Sequence, residues 1–131
     1  MSWTRRRRQT GIGDYVDVIS PMSVFYNDVE AVTARSAVAQ LGYQSYASMT
    51  QPLTATAWQA IPSTYVICEA DNAIPVAAQE AMAGRADDVV RLPTSHSPFL
   101  SQPAALAGLI RRSLSAHGRP RILEVQRMEG R

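Results

Sequence analysis

Two residues stand where chemistry could be done. Asp71 lies in the run Glu69-Ala70-Asp71-Asn72-Ala73-Ile74-Pro75, and His96 lies in Thr94-Ser95-His96-Ser97-Pro98-Phe99-Leu100-Ser101. Brought within hydrogen-bond reach, the carboxylate would fix the imidazole tautomer and steady the imidazolium. The other ring nitrogen would then serve as general base. Each residue alone has an ordinary explanation, since an Asp after a strand is usually a turn or cap residue and a loop His is usually just exposed. Their joint placement points to catalysis. Ser95 and Ser97 adjoin His96 but lie in its own loop, where local hydrogen bonding is expected rather than nucleophilic attack. Cys68 ends the apolar run Tyr65-Val66-Ile67-Cys68 and reads as a small packed hydrophobe, not a reactive thiol. His117, in Ala116-His117-Gly118-Arg119-Pro120, follows the last predicted helix, where a capping or solvated role is expected. Two distant histidines and one buried cysteine form no ligand set, so no metal is expected.

The elements that must position this pair are legible around it. Thr64-Tyr65-Val66-Ile67-Cys68 is β-rich and apolar on both parities, as in a parallel strand covered on both faces. Pro75 opens a predicted helix through Met82, and Gly84 is placed to end it. Val89-Val90-Arg91-Leu92 forms a second short strand. Ser101 is expected to cap a helix with Pro103 in its first turn and Leu106, Leu109, Ile110 and Leu114 as its buried stripe. This order is an α/β unit with a right-handed crossover. Functional groups in open parallel sheets collect just past the C-terminal strand ends. Neighbouring strands lie about 4.8 Å apart, so the two loops can bring carboxylate and imidazole together.

Upstream the reading is coarser. Residues 1–13 look like a flexible, Arg-rich leader. Tyr15, Val16, Val18 and Ile19 suggest a short strand or ribbon that Pro21 ends. Asp28 is expected to cap a helix ending before Gly42, with Val29, Val32, Val38 and Leu41 on a shared face. Residues 43–51 read as loop or irregular helix, and a short helix over 54–60 would stop before Pro62.

The totals bound the rest. The chain has 131 residues, of which 46% are hydrophobic and 18% charged, which suits one ordinary domain rather than a disordered segment. No stretch approaches the roughly 18 consecutive apolar residues of a membrane span. All 13 basic residues are Arg, and four are Arg5, Arg6, Arg7 and Arg8; without them the balance is 13 − 4 = 9 basic to 11 acidic, or −2. The body is therefore not basic. The Arg run reads as a solvated tail, because the aromatic-plus-basic surface of a nucleic-acid binder is lacking. No targeting peptide is visible. The single cysteine rules out an internal disulfide and fits a reducing cytoplasm.

The run from Ile61 to Pro75 resembles the seventh strand and acid loop of α/β-hydrolases. Thr94-Ser95-His96-Ser97-Pro98-Phe99-Leu100-Ser101-Gln102-Pro103 resembles their histidine loop and final helix, in the small soluble esterase branch that includes plant methyl esterases and hydroxynitrile lyases. The resemblance is good over residues 52–115 and fair over 24–51, which are similar to the cap. It is absent over 1–13 and weak after His117. The family order is nucleophile, acid, histidine. Asp71 precedes His96 by 96 − 71 = 25 residues, in keeping with it.

The resemblance implies an α/β fold: the C-terminal portion of an α/β-hydrolase, two parallel strands with flanking helices behind a helical cap remnant. The expected division is a leader over 1–13, a cap-like segment over 14–60, the C-terminal lobe over 61–116 and a tail over 117–131. It also implies Ser-His-Asp hydrolysis of an ester-like small molecule without a cofactor, with Asp71 and His96 as the catalytic residues. The family's Gly-x-Ser-x-Gly nucleophile motif does not occur here, and none of the 12 serines is so flanked. The chain is therefore expected to be truncated and nearly inert by itself. The alternative is a non-catalytic binding or scaffold remnant of the same fold. Either self-association or pairing with a complementary N-terminal lobe is expected, and no contact with nucleic acid or membrane.

Overall fold

The computed structural model describes residues 3–7 and 14–117. Strands β1 (Trp3–Arg7), β2 (Asp14–Val18) and β3 (Gln44–Ser45) form an antiparallel sheet in that order. Strands β4 (Thr64–Cys68) and β5 (Asp88–Leu92) form a separate parallel pair. The helices are α1 (Pro21–Phe25), α2 (Ala31–Ala39), α3 (Tyr46–Thr50), α4 (Val76–Ala83), α5 (Pro98–Ser101) and α6 (Pro103–His117).

The β4–α4–β5 unit follows the sequence pattern closely. Pro75 precedes α4 and Gly84 closes it, the Gly84 N–H donating to the Glu80 carbonyl at 3.1 Å. At the start of the strands, Asp87 clips the unit together. Its Oδ2 accepts from the Ser63 N–H at 2.7 Å, and its own N–H donates to the Ser63 carbonyl at 3.0 Å. The register pairs Thr64 with Asp88 and Cys68 with Leu92, so both strands end level. Arg91 reaches from β5 to Glu69 at 3.3 Å and to Glu80 on α4, tying the strand ends to the crossover helix. Ile67, Cys68, Ala83, Leu92 and Leu109 are buried around this unit.

Elsewhere packing overrides local reading. The expected flexible leader is a strand over Trp3–Arg7, held by antiparallel pairing that sets Arg7 opposite Asp14 and Arg5 opposite Val16. Arg8 and residues 118–131 lie outside the described residues, as does most of the expected C-terminal tail. Pro21 ends the ribbon but also begins α1. Ser20 turns the chain in the left-handed region (φ 57°), and its carbonyl accepts the N–H groups of Ser23 and Val24 at 3.1 and 3.2 Å. Proline's fixed φ is ready-made for that first helical position.

Helix α2 is capped by Glu30, not Asp28. The Glu30 Oε2 accepts from Val32 N at 2.8 Å and Thr33 N at 3.1 Å, satisfying donors that a helix start leaves free. The buried face of α2 is Ala34, fully enclosed, while Val32 and Leu41 of the expected stripe are exposed. The expected helix over 54–60 is only a 3-10 turn, Ala57–Gln59. The last helix breaks at Gln102 into α5 and α6, and α6 runs through His117, which therefore lies within it rather than after it. Leu109 is the buried member of the α6 stripe, whereas Ile110 and Leu114 are 53% and 66% exposed.

Candidate functional site

The parallel ladder continues past both strands. Glu69 N donates to the Leu92 carbonyl and Ala70 N to the Thr94 carbonyl, each at 2.9 Å. Because Cys68 and Leu92 are level, Asp71 and His96 emerge at the same sheet edge, a few residues beyond. There His96 Nδ1 and Asp71 Oδ2 lie 2.9 Å apart. A carboxylate can only accept, so the bond requires the proton on Nδ1 and leaves Nε2 available for a second partner. The Asp71 side chain is 4% exposed and that of His96 36%, so a covered acid supports an imidazole that reaches solvent. An Asp–His pair of this geometry can accept a proton at Nε2 and return it.

The acid is held from several directions. Asp71 Oδ1 accepts from Ala73 N at 2.7 Å and Ile74 N at 3.0 Å, a local turn that aims Oδ2 toward the histidine loop. Gln79, buried on the inner face of α4, braces the same loop. Its Oε1 accepts from Cys68 N at 2.8 Å, and its Nε2 donates to the carbonyls of Cys68 at 3.0 Å and Ile74 at 2.8 Å, with Asp71 Oδ2 at 3.4 Å. One amide thus fixes the end of β4, the turn and the carboxylate together.

The histidine loop is unusually enclosed for its polarity. Thr94, Ser95 and Ser97 are all buried. The Ser95 hydroxyl donates to the Phe25 carbonyl at 3.2 Å and accepts from Ser97 N at 3.3 Å. The bond from Ser97 N is local as expected, whereas the Ser95 hydroxyl reaches a carbonyl 70 residues away in the chain. The Phe25 ring lies beside the imidazole, centroids 5.1 Å apart and tilted by 30°. Asp28 Oδ2 accepts from Ser95 N at 2.8 Å. Partial desolvation raises the Asp28 pKa, but the hydrogen bonding that Ser95 and Ser101 offer outweighs it and holds the carboxyl below its ordinary range. Cys68 is a buried free thiol, and burial pushes its pKa up, more than the Thr94 hydroxyl beside it pulls it down. That is the environment of an unreactive cysteine.

Asp28 and Gln79 are the site residues that the sequence alone did not single out. Gln79 left a faint trace: it is a polar residue four positions before Ala83, on the same buried helix face. Asp28 left none, because its partner is 67 residues away. Among the described residues no group of three His, Cys, Asp or Glu could hold a metal ion, and no helix is long and apolar enough to cross a membrane.

A strand–helix–strand unit with an acid and a histidine at one sheet edge defines a class, and the sequence matches that class directly. The chain belongs to the alpha/beta hydrolase family, whose model matches residues 1–109. The family match thus includes residues 1–13, where no resemblance had been expected. Among curated proteins it is similar to the alpha/beta hydrolase nvfD of Aspergillus novofumigatus, 38% identical over 107 residues that make up 79% of this chain and 43% of that protein. Among solved structures it is similar to polyneuridine aldehyde esterase, with a TM-score of 0.66 at 16% identity over 86% of this chain and 48% of the esterase. A mutant of that esterase aligns with a TM-score of 0.68 at 15% identity and the same coverage. At such identity the likeness speaks to the fold, and the fold here is a fragment of the α/β-hydrolase architecture. The chain spans less than half the length of each of these relatives.

Proposed function

We propose that this chain carries the acid and the histidine of an esterase-like serine hydrolase acting on an ester of a small molecule. The observation that carries the reading is the 2.9 Å contact between His96 Nδ1 and the covered Asp71 carboxylate, at the C-terminal ends of adjacent parallel strands. In this reading Asp71 holds the Nδ1–H tautomer and steadies the imidazolium. Nε2 takes the proton from a serine hydroxyl as its oxygen attacks the acyl carbonyl, then gives that proton to the departing alkoxide. Water repeats the cycle to release the acid. The serine and its oxyanion donors are supplied from outside these 131 residues, either by a longer form of the chain or by a complementary N-terminal lobe. The lone buried thiol suits a reducing cytoplasm.

The test begins with the coding sequence upstream, which is expected to hold an in-frame or frameshifted Gly-x-Ser-x-Gly. Protein rebuilt with that segment should hydrolyse short p-nitrophenyl esters. Its kcat should fall by about 10⁴-fold in Asp71→Asn and at least as far in His96→Ala. Retention of activity in both variants would end this reading. The 131-residue chain by itself should give only the buffer rate. An upstream sequence with no such motif would favour the second reading, a non-catalytic member of the fold, which rests on the absence of that motif from these residues.

A further inference from the structure

The segment over residues 23–28 touches both loops that carry the candidate pair. Asn27 Nδ2 donates to the Ala70 carbonyl at 3.0 Å, and Asn72 Nδ2 donates to the Ser23 carbonyl at 2.8 Å, so the acid loop is tied to the segment twice. The Ser95 hydroxyl donates to the Phe25 carbonyl, and Ser95 N donates to the Asp28 carboxylate at 2.8 Å. The imidazole itself lies against the Phe25 ring.

Of the hydrogen bonds among these ties, that to Asp28 has the most direct hold on His96. It fixes the peptide nitrogen of the residue just before the histidine, and because Ser95 is fully buried that N–H needs an acceptor, which the surface residue Asp28 supplies. A charged acceptor also makes a stronger bond than a neutral one. The main-chain direction at Ser95 sets where the His96 Cβ points, and hence whether Nδ1 meets Asp71. We infer that Asp28 is a positioning residue for His96: by clamping Ser95 N it aims the imidazole at Asp71, acting through the histidine loop without touching the reacting atoms.

This inference rests on the Asp71–His96 reading, and the experiment separates the two. The chain is labelled with ¹⁵N-histidine in a His117→Gln background, so that every ring signal comes from His96. Long-range ¹H–¹⁵N correlation then reports which nitrogen holds the proton. The parent is expected to show the Nδ1–H tautomer alone. Asp71→Asn should lose that signature, and if it does not, the pair is not formed in solution and the site reading falls along with this one.

With the pair established, Asp28→Ala is expected to give a mixture of tautomers. Asp28→Asn, whose amide oxygen can still accept from Ser95 N, is expected to restore the single form. Asp87→Ala removes a similar carboxylate-to-backbone bond at the opposite end of β4 and controls for general loosening. It should lower the thermal midpoint comparably while leaving His96 unchanged. An unaltered tautomer in Asp28→Ala, or an equal loss in Asp87→Ala, would overturn the assignment of Asp28 and leave the Asp71–His96 pair standing.

Discussion

Gln79 illustrates how much a single side chain can organise. Its amide satisfies the N–H and the carbonyl of Cys68, both buried, and a third, part-buried main-chain group at Ile74. Hydrophobic substitution would remove the partner without removing the need for one. Each buried polar group left unsatisfied costs about 1–3 kcal/mol, although local relaxation recovers part of that. Gln79→Ala is therefore expected to destabilise the chain by about 2–3 kcal/mol in urea unfolding, with an unchanged m-value. A loss below about 0.5 kcal/mol would mean that water or a neighbour takes over the bonds. The same variant should loosen the acid loop, since Asp71 and Gln79 share the turn.

At the scale of elements, sequence was a good guide wherever a segment's own residues settle its fate. The strand over Thr64–Cys68, the proline that opens α4 and the glycine that closes it were all legible, because apolar runs and chain punctuation act locally. Asp71 and His96 were legible for the same reason: each sits just beyond a recognisable strand. The strand over Trp3–Arg7 was not, since an arginine run carries no alternation and its conformation comes from pairing with β2. The cap of α2 was misread because Asp is an ordinary cap residue, yet the Asp28 carboxylate binds distant Ser95 and Glu30 takes the helix start. Gly84 shows how a residue can be correctly placed without its special freedom being used. Its φ of −60° is ordinary helical backbone, and an added Cβ would meet only the Ala81 and Glu80 carbonyl oxygens at 3.8 Å. Gly84→Ala should therefore be tolerated and stabilise by about 0.4–1 kcal/mol through the unfolded chain. A raised denaturation midpoint would bear this out, and a lowered one would show that the helix end needs glycine.

For the molecule as a whole, the uncovered surface is the dominant feature. Among the described residues β4 and β5 have no strand partner but each other, and two short strands give little independent stability. An apolar cleft of about 420 Å³ runs between β4 and α6, lined by Ile61, Val66, Leu109, Ile110 and Leu114, with neither Asp71 nor His96 on its walls. Open sheet edges and exposed apolar patches favour association. The purified chain is expected to self-associate, with light scattering and a melting transition that both depend on concentration. A clean monomer melting sharply at one temperature across a hundredfold dilution would show that it closes its own core. The ties between residues 23–28 and the two loops carry a further consequence, one of timing. The Asp71–His96 contact spans 25 residues, whereas the Asp28–Ser95 contact spans 67. On loop-closure entropy alone the longer connection costs about 0.9 kcal/mol more to close. The β4–α4–β5 unit can thus condense early, while the clasp to Asp28 waits until the segment over residues 23–28 has found the histidine loop. Destabilising Asp28 would then quicken unfolding and leave the folding rate almost untouched, as expected of a bond made after the barrier is crossed.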